Sequence, residues 1–514
     1  MPAGRLAAVL APRHLVVAEE LVTREPVPGA AGATVHRFVQ AVGPLAAYER
    51  TVTVEGGTAS GLVRVRQDVR FRVGVPYVSW IFALPLRSHL GSLEEPGRVP
   101  WWAPPARMAH DAAVLLATLC ALAVLAGYLD GLLPATMTYA GREFGVGNAG
   151  QGVALGVVQV SAVMALALLA RADRRGRRRL VLLGTVAGAA VTAAGAVMPS
   201  LAALTATQVV AGALLTAQFV LLGIMAVEGM PAGSRAWGIG LITMCYGLGG
   251  GITLLALPLA GVGRGGWRWL YALALLALPA AASCARHLRE SRRWQAEPDP
   301  GPAATGAAGW SPRSRRRLLV LGAGALLFAL FSTPAGQFQN QYLRTERHWT
   351  ALRIGVVEQV AGTVGGLGTL VGARLADTRG RRPVLAVALG AGTAVSVLEY
   401  FAHGAALYGW MTAGSFLGYA VTPALAVYGA ELFPTRLRGA AGGVLTILAA
   451  GGGLLGLTAT GFLAGAFGSI GPGLALLAAG PLLVILIVLV AYPETAGRRL
   501  EELNPGDARL PEGA

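Results

Sequence analysis

Lysine is absent from this 514-residue chain, cysteine is rare, and charge of either sign is scarce. All 42 basic residues are arginines, only 13% of the residues are charged, and 54% are hydrophobic. A soluble protein of this length needs more charge to cover its surface. The scarce charge and a mean hydropathy of +0.58 therefore predict a membrane protein.

The three cysteines, Cys120, Cys245 and Cys284, all lie within apolar runs. Buried cysteine behaves as a small hydrophobic side chain, so we interpret them as packing residues. The pattern predicts neither a disulfide framework nor a metal site. Because nucleotide-binding loops and catalytic triads are also missing, we expect no cofactor and no enzymatic activity in the apolar part of the chain.

The placement of arginine argues against nucleic acid as a partner. The net charge of +16 is large, and a basic protein can bind nucleic acid through its field. Here, however, the arginines cluster at the ends of apolar runs, where membrane topology requires them. We therefore expect a lipid bilayer, and no nucleic acid, around the chain.

Twelve apolar runs follow Met108, and most reach the roughly 20 residues that a membrane-spanning helix needs. They cover residues 111–138, 150–170, 180–199, 203–227, 237–260, 268–286, 317–340, 354–373, 383–402, 405–429, 440–465 and 473–492. A basic, proline-containing linker at 287–316 separates the sixth run from the seventh. The chain is thus predicted to be an all-α membrane protein with six-helix halves at 108–286 and 317–492 and a tail at 493–514.

Residues 1–107 have a different pattern. Apolar and polar residues alternate on both sides of a Gly-Gly pair, over residues 51–55 and 62–66. This alternation predicts a β-hairpin with one basic face. Since residues 34–48 are compatible with a helix, we predict a small α+β domain here. Its role, as a regulatory domain, a plain extension or a separate catalytic module, stays open.

Three acidic motifs occur twice at one offset. The pairs are Asp173 and Asp377, Glu228 and Glu431, and Glu290 and Glu494, spaced 204, 203 and 204 positions apart. Asp173 and Asp377 both open the pattern D-x-R-G-R-R between apolar runs. An internal repeat of this kind is typical of transporters, in which two similar halves surround a central site.

The distribution of arginine predicts the orientation of the bundle. An even number of spans places both termini on one side. Loops on that side contain 24 arginines and the opposite loops contain 6, while the N-terminal segment holds 12. By the positive-inside rule, the arginine-rich side is cytoplasmic. We therefore expect a multi-pass protein of the cytoplasmic membrane with both termini, and the N-terminal domain, in the cytoplasm.

Long motifs resemble a known family. Residues 428–439, Y-G-A-E-L-F-P-T-R-L-R-G, resemble the sugar-porter signature after the tenth helix, and 493–502, P-E-T-A-G-R-R-L-E-E, resemble its terminal motif. The G-W-R-W at 266–269 is similar to the entry of its sixth helix. Over about residues 110–503 the chain thus resembles the major facilitator superfamily, and within it the sugar-porter and metabolite:proton symporter branches. The resemblance implies the twelve-helix fold of that superfamily.

The resemblance also implies a cytoplasmic gate. One predicted latch contains Asp173, Arg177, Glu228, Arg235 and Glu290, and the other contains Asp377, Arg381, Glu431, Arg438 and Glu494. Carboxylates at helix ends form strong, often bidentate contacts with arginine. The other interpretation is a topology signal with solvated loop charge. The repeated acids favour the gate, because the positive-inside rule needs only basic residues.

Two acids within the apolar runs are candidates for proton coupling. Asp130, in G-Y-L-D-G, resembles the aspartate in the first helix of sugar porters, displaced by one residue. Glu358 lies near the start of the eighth run. An ionisable group inside a membrane is a functional hypothesis by default. Both acids, and Glu399 at the end of the ninth run, are also open to interpretation as groups near the outer headgroups.

Neutral polar residues near the middle of the runs are candidates for hydrogen bonds to a solute. They are Gln159, Gln218, Tyr246, Gln337, Asn340, Tyr419 and Thr422. Each can instead form a hydrogen bond between helices. Thr207 and Gln208 occupy a region where sugar porters carry an arginine. The solute is therefore either a sugar-like polyol or an organic acid.

These patterns predict a monomeric secondary active transporter that moves a small organic solute by alternating access, with proton-coupled uptake. One alternative is a proton-coupled drug or metabolite efflux antiporter, although the fifth run lacks the Gly-Pro pair usual in such proteins. Another is a membrane sensor without transport activity, with the N-terminal domain as its output module.

Overall fold

The chain forms two compact units, Met1–Leu119 and Cys120–Ala514. The computed structural model describes residues 3–26, 33–55, 63–93, 99–100, 102–146, 150, 154, 156–158, 160–263, 265–296, 310–339, 342–343, 346–349 and 351–505.

An antiparallel sheet organises the first unit. Its strands are β1 (Ala18–Pro26), β2 (Thr34–Val42), β3 (Ala47–Glu55) and β4 (Arg64–Arg72), in the order β1-β2-β3-β4. Helices α1 (Ala3–Leu10) and α2 (Ser79–Gly91) complete it. Because side chains alternate along a strand, Tyr48, Arg50, Val52 and Val54 of β3 all face the core.

The predicted hairpin is confirmed, since β3 and β4 pair with Glu55 opposite Arg64. The predicted helix over residues 34–48 is wrong, because β2 occupies 34–42 and pairs with strands on both sides. His36 and Phe38 of β2 are both buried. This two-residue period belongs to a strand, and tertiary pairing overrides the local tolerance for a helix.

A buried carboxylate joins the strands of the first unit. Glu19 accepts hydrogen bonds from the Tyr48 hydroxyl at 2.5 Å, from Arg50 Nε at 2.9 Å and from the backbone N–H of Arg13 at 3.0 Å. Burial and the Glu19 charge raise the pKa of Tyr48. Arg13 and Arg50, both buried, share this one carboxylate, so each of them has an acidic partner in the core.

The second unit is helical, and the sequence boundary between the units falls within α3. The first half contains α3 (His110–Glu143), α4 (Ser161–Arg175), α5 (Arg177–Ala194), α6 (Leu201–Gly229), α7 (Arg235–Ala256), α8 (Trp267–Leu273) and α9 (Ala277–His287), followed by the linker helix α10 (Arg292–Ala296). The second half contains α11 (Pro312–Gln337), α12 (Ala351–Arg379), α13 (Arg381–Glu399), α14 (Gly404–Glu431), α15 (Arg438–Phe467), α16 (Ile470–Leu477) and α17 (Ala479–Ala491), followed by α18 (Leu500–Leu503).

The predicted all-α membrane architecture is confirmed. Within the described residues, ten helical stretches are long and apolar enough to cross a membrane. Of the two other predicted runs, 405–429 lies within α14, which is 28 residues long, and 150–170 overlaps a shorter apolar helix at Gly156–Ala172.

Small residues bring helix backbones together in the second half of the repeat. A Cβ added to Gly452 of α15 would lie 2.2 Å from the carbonyl oxygen of Leu326 on α11. A Cβ added to Gly368 of α12 would lie 2.1 Å from that of Phe416 on α14. Only glycine permits such contacts, which replace apolar burial as the source of helix association in lipid.

Each half has its own aromatic core. In the first half, Trp267 and Tyr271 meet edge to face at 5.5 Å between ring centres. In the second, Tyr342 and Tyr400 pack at 4.7 Å. Both cores lie near the ends of α5 and α13 that are remote from the D-x-R-G-R-R loops.

Candidate functional site

Each D-x-R-G-R-R loop turns at its glycine. Gly176 has a φ of 95° and Gly380 a φ of 99°. This backbone region favours glycine, and the next helix, α5 or α13, begins at the following residue. The two loops therefore place equivalent arginines, Arg177 and Arg381, at the first position of equivalent helices.

A glutamate from the end of each half caps these helices. Glu290 accepts hydrogen bonds from the backbone N–H groups of Arg177 at 3.1 Å and Arg178 at 3.2 Å. A carboxylate at this position satisfies free N–H donors and the positive end of the helix dipole. A Cβ on Gly176 would lie 2.5 Å from Oε2 of Glu290, which is a second reason for glycine in the loop.

Glu494 has the same role in the second half. It accepts hydrogen bonds from the backbone N–H groups of Arg381 at 3.0 Å and Arg382 at 3.1 Å. Burial would raise the pKa of Glu494, but these donors and the N–H groups of Ala496 and Thr495 outweigh it, so the pKa lies below its ordinary value. The anionic form is thus the one the site stabilises.

Beneath the caps lies a buried group of ions, which we call the arginine–carboxylate cluster: Arg177, Arg235, Arg381, Arg438, Glu228, Asp377 and Glu431. Within the first half, Arg177 pairs with Glu228, and within the second, Arg381 pairs with Glu431. The side chains of Arg177 and Arg381 are both 0% exposed. Equivalent residues of the repeat therefore form equivalent pairs.

Two ion pairs of the cluster also join the two halves. Arg235 of the first half donates to Glu431 at 2.9 Å, and Arg438 of the second half pairs with Glu228. Each glutamate thus binds one arginine from its own half and one from the other. Residues from both predicted latches therefore form one network of ion pairs.

Asp377 adds a further contact between the halves. Its carboxylate accepts hydrogen bonds from the backbone N–H groups of Ala236 at 3.2 Å and Trp237 at 2.8 Å, at the start of α7. It also lies 3.2 Å from Arg381. The side chain of its repeat partner, Asp173, lies outside the described part of the chain.

Two of the predicted membrane candidates meet. Asp130 on α3 is exposed, and its Oδ2 accepts a hydrogen bond from the Tyr246 hydroxyl of α7 at 2.7 Å. The Tyr246 ring packs against Phe219 of α6, with 4.5 Å between ring centres. This places an accessible carboxylate beside an aromatic hydroxyl, a combination that can bind polar solutes and protons.

The other candidates are dispersed. Glu358 and Thr422 are half-buried, Gln337 and Tyr419 are exposed, and Gln218 is fully buried. The Gln218 amide has no hydrogen-bond partner in the described part of the chain. Gln159 and Asn340 lie outside the described residues.

One buried acid, Glu399, was not among the site residues predicted from the sequence. Glu399, at the end of α13, is only 5% exposed, although its position in the run suggested the headgroup region. Gln339 Nε2 donates to its carboxylate at 2.6 Å. Because Glu399 ends α13 and Gln339 lies just after the end of α11, no periodic pattern could show that these two positions meet.

Comparisons with known proteins agree with this architecture. A family model described as Major Facilitator Superfamily matches residues 119–457. A search of curated proteins found no match.

Several solved transporter structures share the fold. The proton:xylose symporter XylE aligns with a TM-score of 0.61 at 15% identity, covering 76% of this chain and 98% of that one. The fucose:proton symporter FucP of E. coli aligns at 0.63 and 14%, covering 74% and 98%. The human organic anion transporter MFSD10 aligns at 0.57 and 18%, covering 73% and 96%. The family match over most of the helical unit shows that this chain belongs to the Major Facilitator Superfamily.

Proposed function

We propose that this protein is a monomeric secondary active transporter that takes up a small organic solute together with protons. The solute is a sugar-like polyol or an organic acid. Proteins of the same fold include a proton:xylose symporter, a fucose:proton symporter and an organic anion transporter. Family membership supports transport itself, and the chemistry of the residues supports the solute class and the coupling.

The observation that carries the proposal is the pair of buried arginine–glutamate contacts between the two halves. The contacts of Arg235 with Glu431 and of Arg438 with Glu228 must break if the halves separate at this end. The pairs within each half survive such a motion, because both partners move together. A set of ions that can open without unfolding either half is suited to alternating access.

The positive-inside rule assigns the arginine–carboxylate cluster to the cytoplasmic side. In the conformation described here, the contacts between the halves close that side. The aromatic cores of the two halves are separate at the remote end. We therefore assign this conformation to a cytoplasm-closed stage of the transport cycle, with the cluster as the cytoplasmic gate.

Asp130 is the proton carrier in this scheme. It is accessible, and its partner Tyr246 is neutral. Among the ion pairs of the described residues none includes Asp130, and in this scheme its carboxylate takes up a proton when solute replaces the tyrosine hydroxyl. Tyr246, whose hydroxyl donates to Asp130, is in this scheme a residue that contacts the solute.

The proposal can be tested in proteoliposomes with D-xylose, L-fucose and lactate as probes. An inwardly directed proton gradient should drive accumulation of at least one probe. Asp130→Asn should abolish accumulation but retain exchange of labelled for unlabelled solute, since exchange needs no net proton movement. Tyr246→Phe, which keeps the carboxylate, should weaken solute binding and retain coupling. Unchanged accumulation in Asp130→Asn would remove this residue from the coupling mechanism.

The first unit gives a test against the sensor alternative. It has its own cores around Phe38 and Tyr48, so we expect transport not to depend on it. Deletion of residues 1–106 should leave flux per molecule intact. A sensor would instead lose its output, and no gradient-driven flux would be seen in either form.

A further inference from the structure

A second acid in the membrane region has the environment of a proton-binding group. Glu399 is 5% exposed at the end of α13, within a segment that is apolar enough to span the bilayer. Its Oε1 accepts a hydrogen bond from Gln339 Nε2 at 2.6 Å. Gln339 is a neutral donor, so it orients the carboxyl group without compensating a charge.

No cation compensates Glu399 in the described part of the chain. The ion pairs found there do not include this residue. An ionised carboxylate taken from water into an apolar site is costly without a paired cation. Buried acids elsewhere in this protein, such as Glu431 and Glu228, bind arginines. Glu399 differs from these acids because no arginine of the described residues pairs with it.

The elements around Glu399 supply few charged groups. From α12, Glu358 is close enough to interact electrostatically. From the segment after α11, the Tyr342 hydroxyl donates to the backbone carbonyl of Glu399 at 3.3 Å, and Glu346 lies close to the neighbouring Tyr400. From α14, Gly414 approaches without a side chain.

Charged groups slightly further from Glu399 have partners of their own. Arg347 donates to the Tyr342 hydroxyl and contacts His403, both at 2.7 Å. Glu346 accepts hydrogen bonds from the Ile470 backbone N–H at 2.9 Å and from the Ser469 hydroxyl. Within the described residues, the polar side chains that remain beside Glu399 are the Gln339 amide and the Glu358 carboxylate.

We infer that Glu399 is a second proton-binding site of this transporter, in the half that does not contain Asp130. Gln339 holds the carboxyl group in place, and the half-buried Glu358 on α12 is close enough to interact with it electrostatically. Binding a proton converts Glu399 to a neutral carboxylic acid, which needs no cation. Release of the proton creates an uncompensated buried charge, so release is coupled to a rearrangement that admits water or a cation.

This inference rests on the proposed function for its role in coupling, but proton binding itself can be measured without transport. The full-length protein in lipid vesicles should show the infrared carbonyl band of a buried carboxylic acid at neutral pH. Glu399→Gln should lose this band. Gln339→Leu should retain it at higher frequency, because the carbonyl loses its hydrogen bond. Glu399→Asp should shift the frequency of the carbonyl band. This variant provides the test if Glu399→Gln does not fold.

Glu346→Gln is the matched control, because that acid lies nearby but is bonded to backbone and hydroxyl groups. The band should persist in this variant. Absence of the band from the wild-type protein, or its persistence in Glu399→Gln, would overturn the inference.

Transport then separates this inference from the proposed function. With a probe that the wild type accumulates, Glu399→Gln should lose proton-driven accumulation and retain exchange. Full accumulation in Glu399→Gln beside its loss in Asp130→Asn would reject Glu399 and keep the transporter. If the band depends on Glu399 but the protein transports none of the probes, the proton site is supported and the proposed transport is rejected.

Discussion

Arg438, from the second half of the bundle, forms an ion pair with Glu228 of the first, and the repeat supplies the reverse pair, Arg235 with Glu431. All four side chains are almost fully buried. Removing Arg438 or Arg235 leaves the paired glutamate with one arginine, from its own half, and removes an ion pair that joins the halves. The cluster therefore joins the halves strongly, and the bonds that join them are also the bonds that must open.

Arg438→Gln should open the cluster end of the bundle. Breaking a buried ion pair costs up to about 3–5 kcal/mol when the remaining charge is unpaired. Glu228 keeps Arg177, so the cost is smaller here, and it falls on the closed conformation. Spin labels at Arg179→Cys and Arg379→Cys, both exposed positions on opposite halves, would report the distance between the halves by double electron–electron resonance. The native cysteines must first be replaced. We expect a longer distance to become populated.

Arg381→Gln is the control for that experiment. It removes the two buried pairs of Arg381 within the second half, with Glu431 and Asp377, and keeps the contact of Arg235 with Glu431. It should lower thermal stability without populating the longer distance. If Arg438→Gln left the distance distribution unchanged, the cluster would be a structural element of the closed bundle and not a gate.

Neighbouring glycines of α15 should respond to alanine with opposite signs. A Cβ at Gly452 would lie 2.2 Å from the Leu326 carbonyl oxygen, whereas nothing lies within 4 Å of a Cβ at Gly451. Gly452→Ala should therefore destabilise the protein by about 1–3 kcal/mol through overpacking. Gly451→Ala should stabilise it by about 0.5–1 kcal/mol, because alanine suits a helix better. Thermal unfolding in one detergent would compare them, and equal midpoints would contradict the close approach of α11 and α15.

Glu494→Gln should lower stability in a pH-dependent way. The folded-state pKa of Glu494 is below its ordinary value, so its carboxylate stabilises the fold above the ordinary glutamate pKa. That contribution is lost as the pH falls through the folded-state value. Loss of the cap should cost about 1 kcal/mol near neutral pH. Thermal unfolding across pH should show the gap between wild type and variant closing on acidification.

Glu502→Gln, at an exposed position on α18, is the matched control and should change stability little at any pH. A gap for Glu494→Gln that stayed constant on acidification would mean that its carboxylate is not the stabilising form.

The strengths and failures of sequence reasoning have physical causes. The repeat of acidic motifs located nearly all of the cluster, because helix-end carboxylates and arginines need fixed local spacings. The hairpin at β3 and β4 followed from its alternation. The helix expected over residues 34–48 failed because β2 gains its stability from partners on both sides, which local sequence does not contain.

Local sequence information was enough for the helical bundle and its duplication. Length and hydropathy decide which segments can cross a bilayer, and both are properties of contiguous residues. Only the folded chain decided which arginine binds which glutamate, since Arg235 and Arg438 are chemically identical and occupy equivalent places in the repeat. The burial of Glu399 against Gln339 was likewise decided by packing, because it depends on how the ends of distant helices meet.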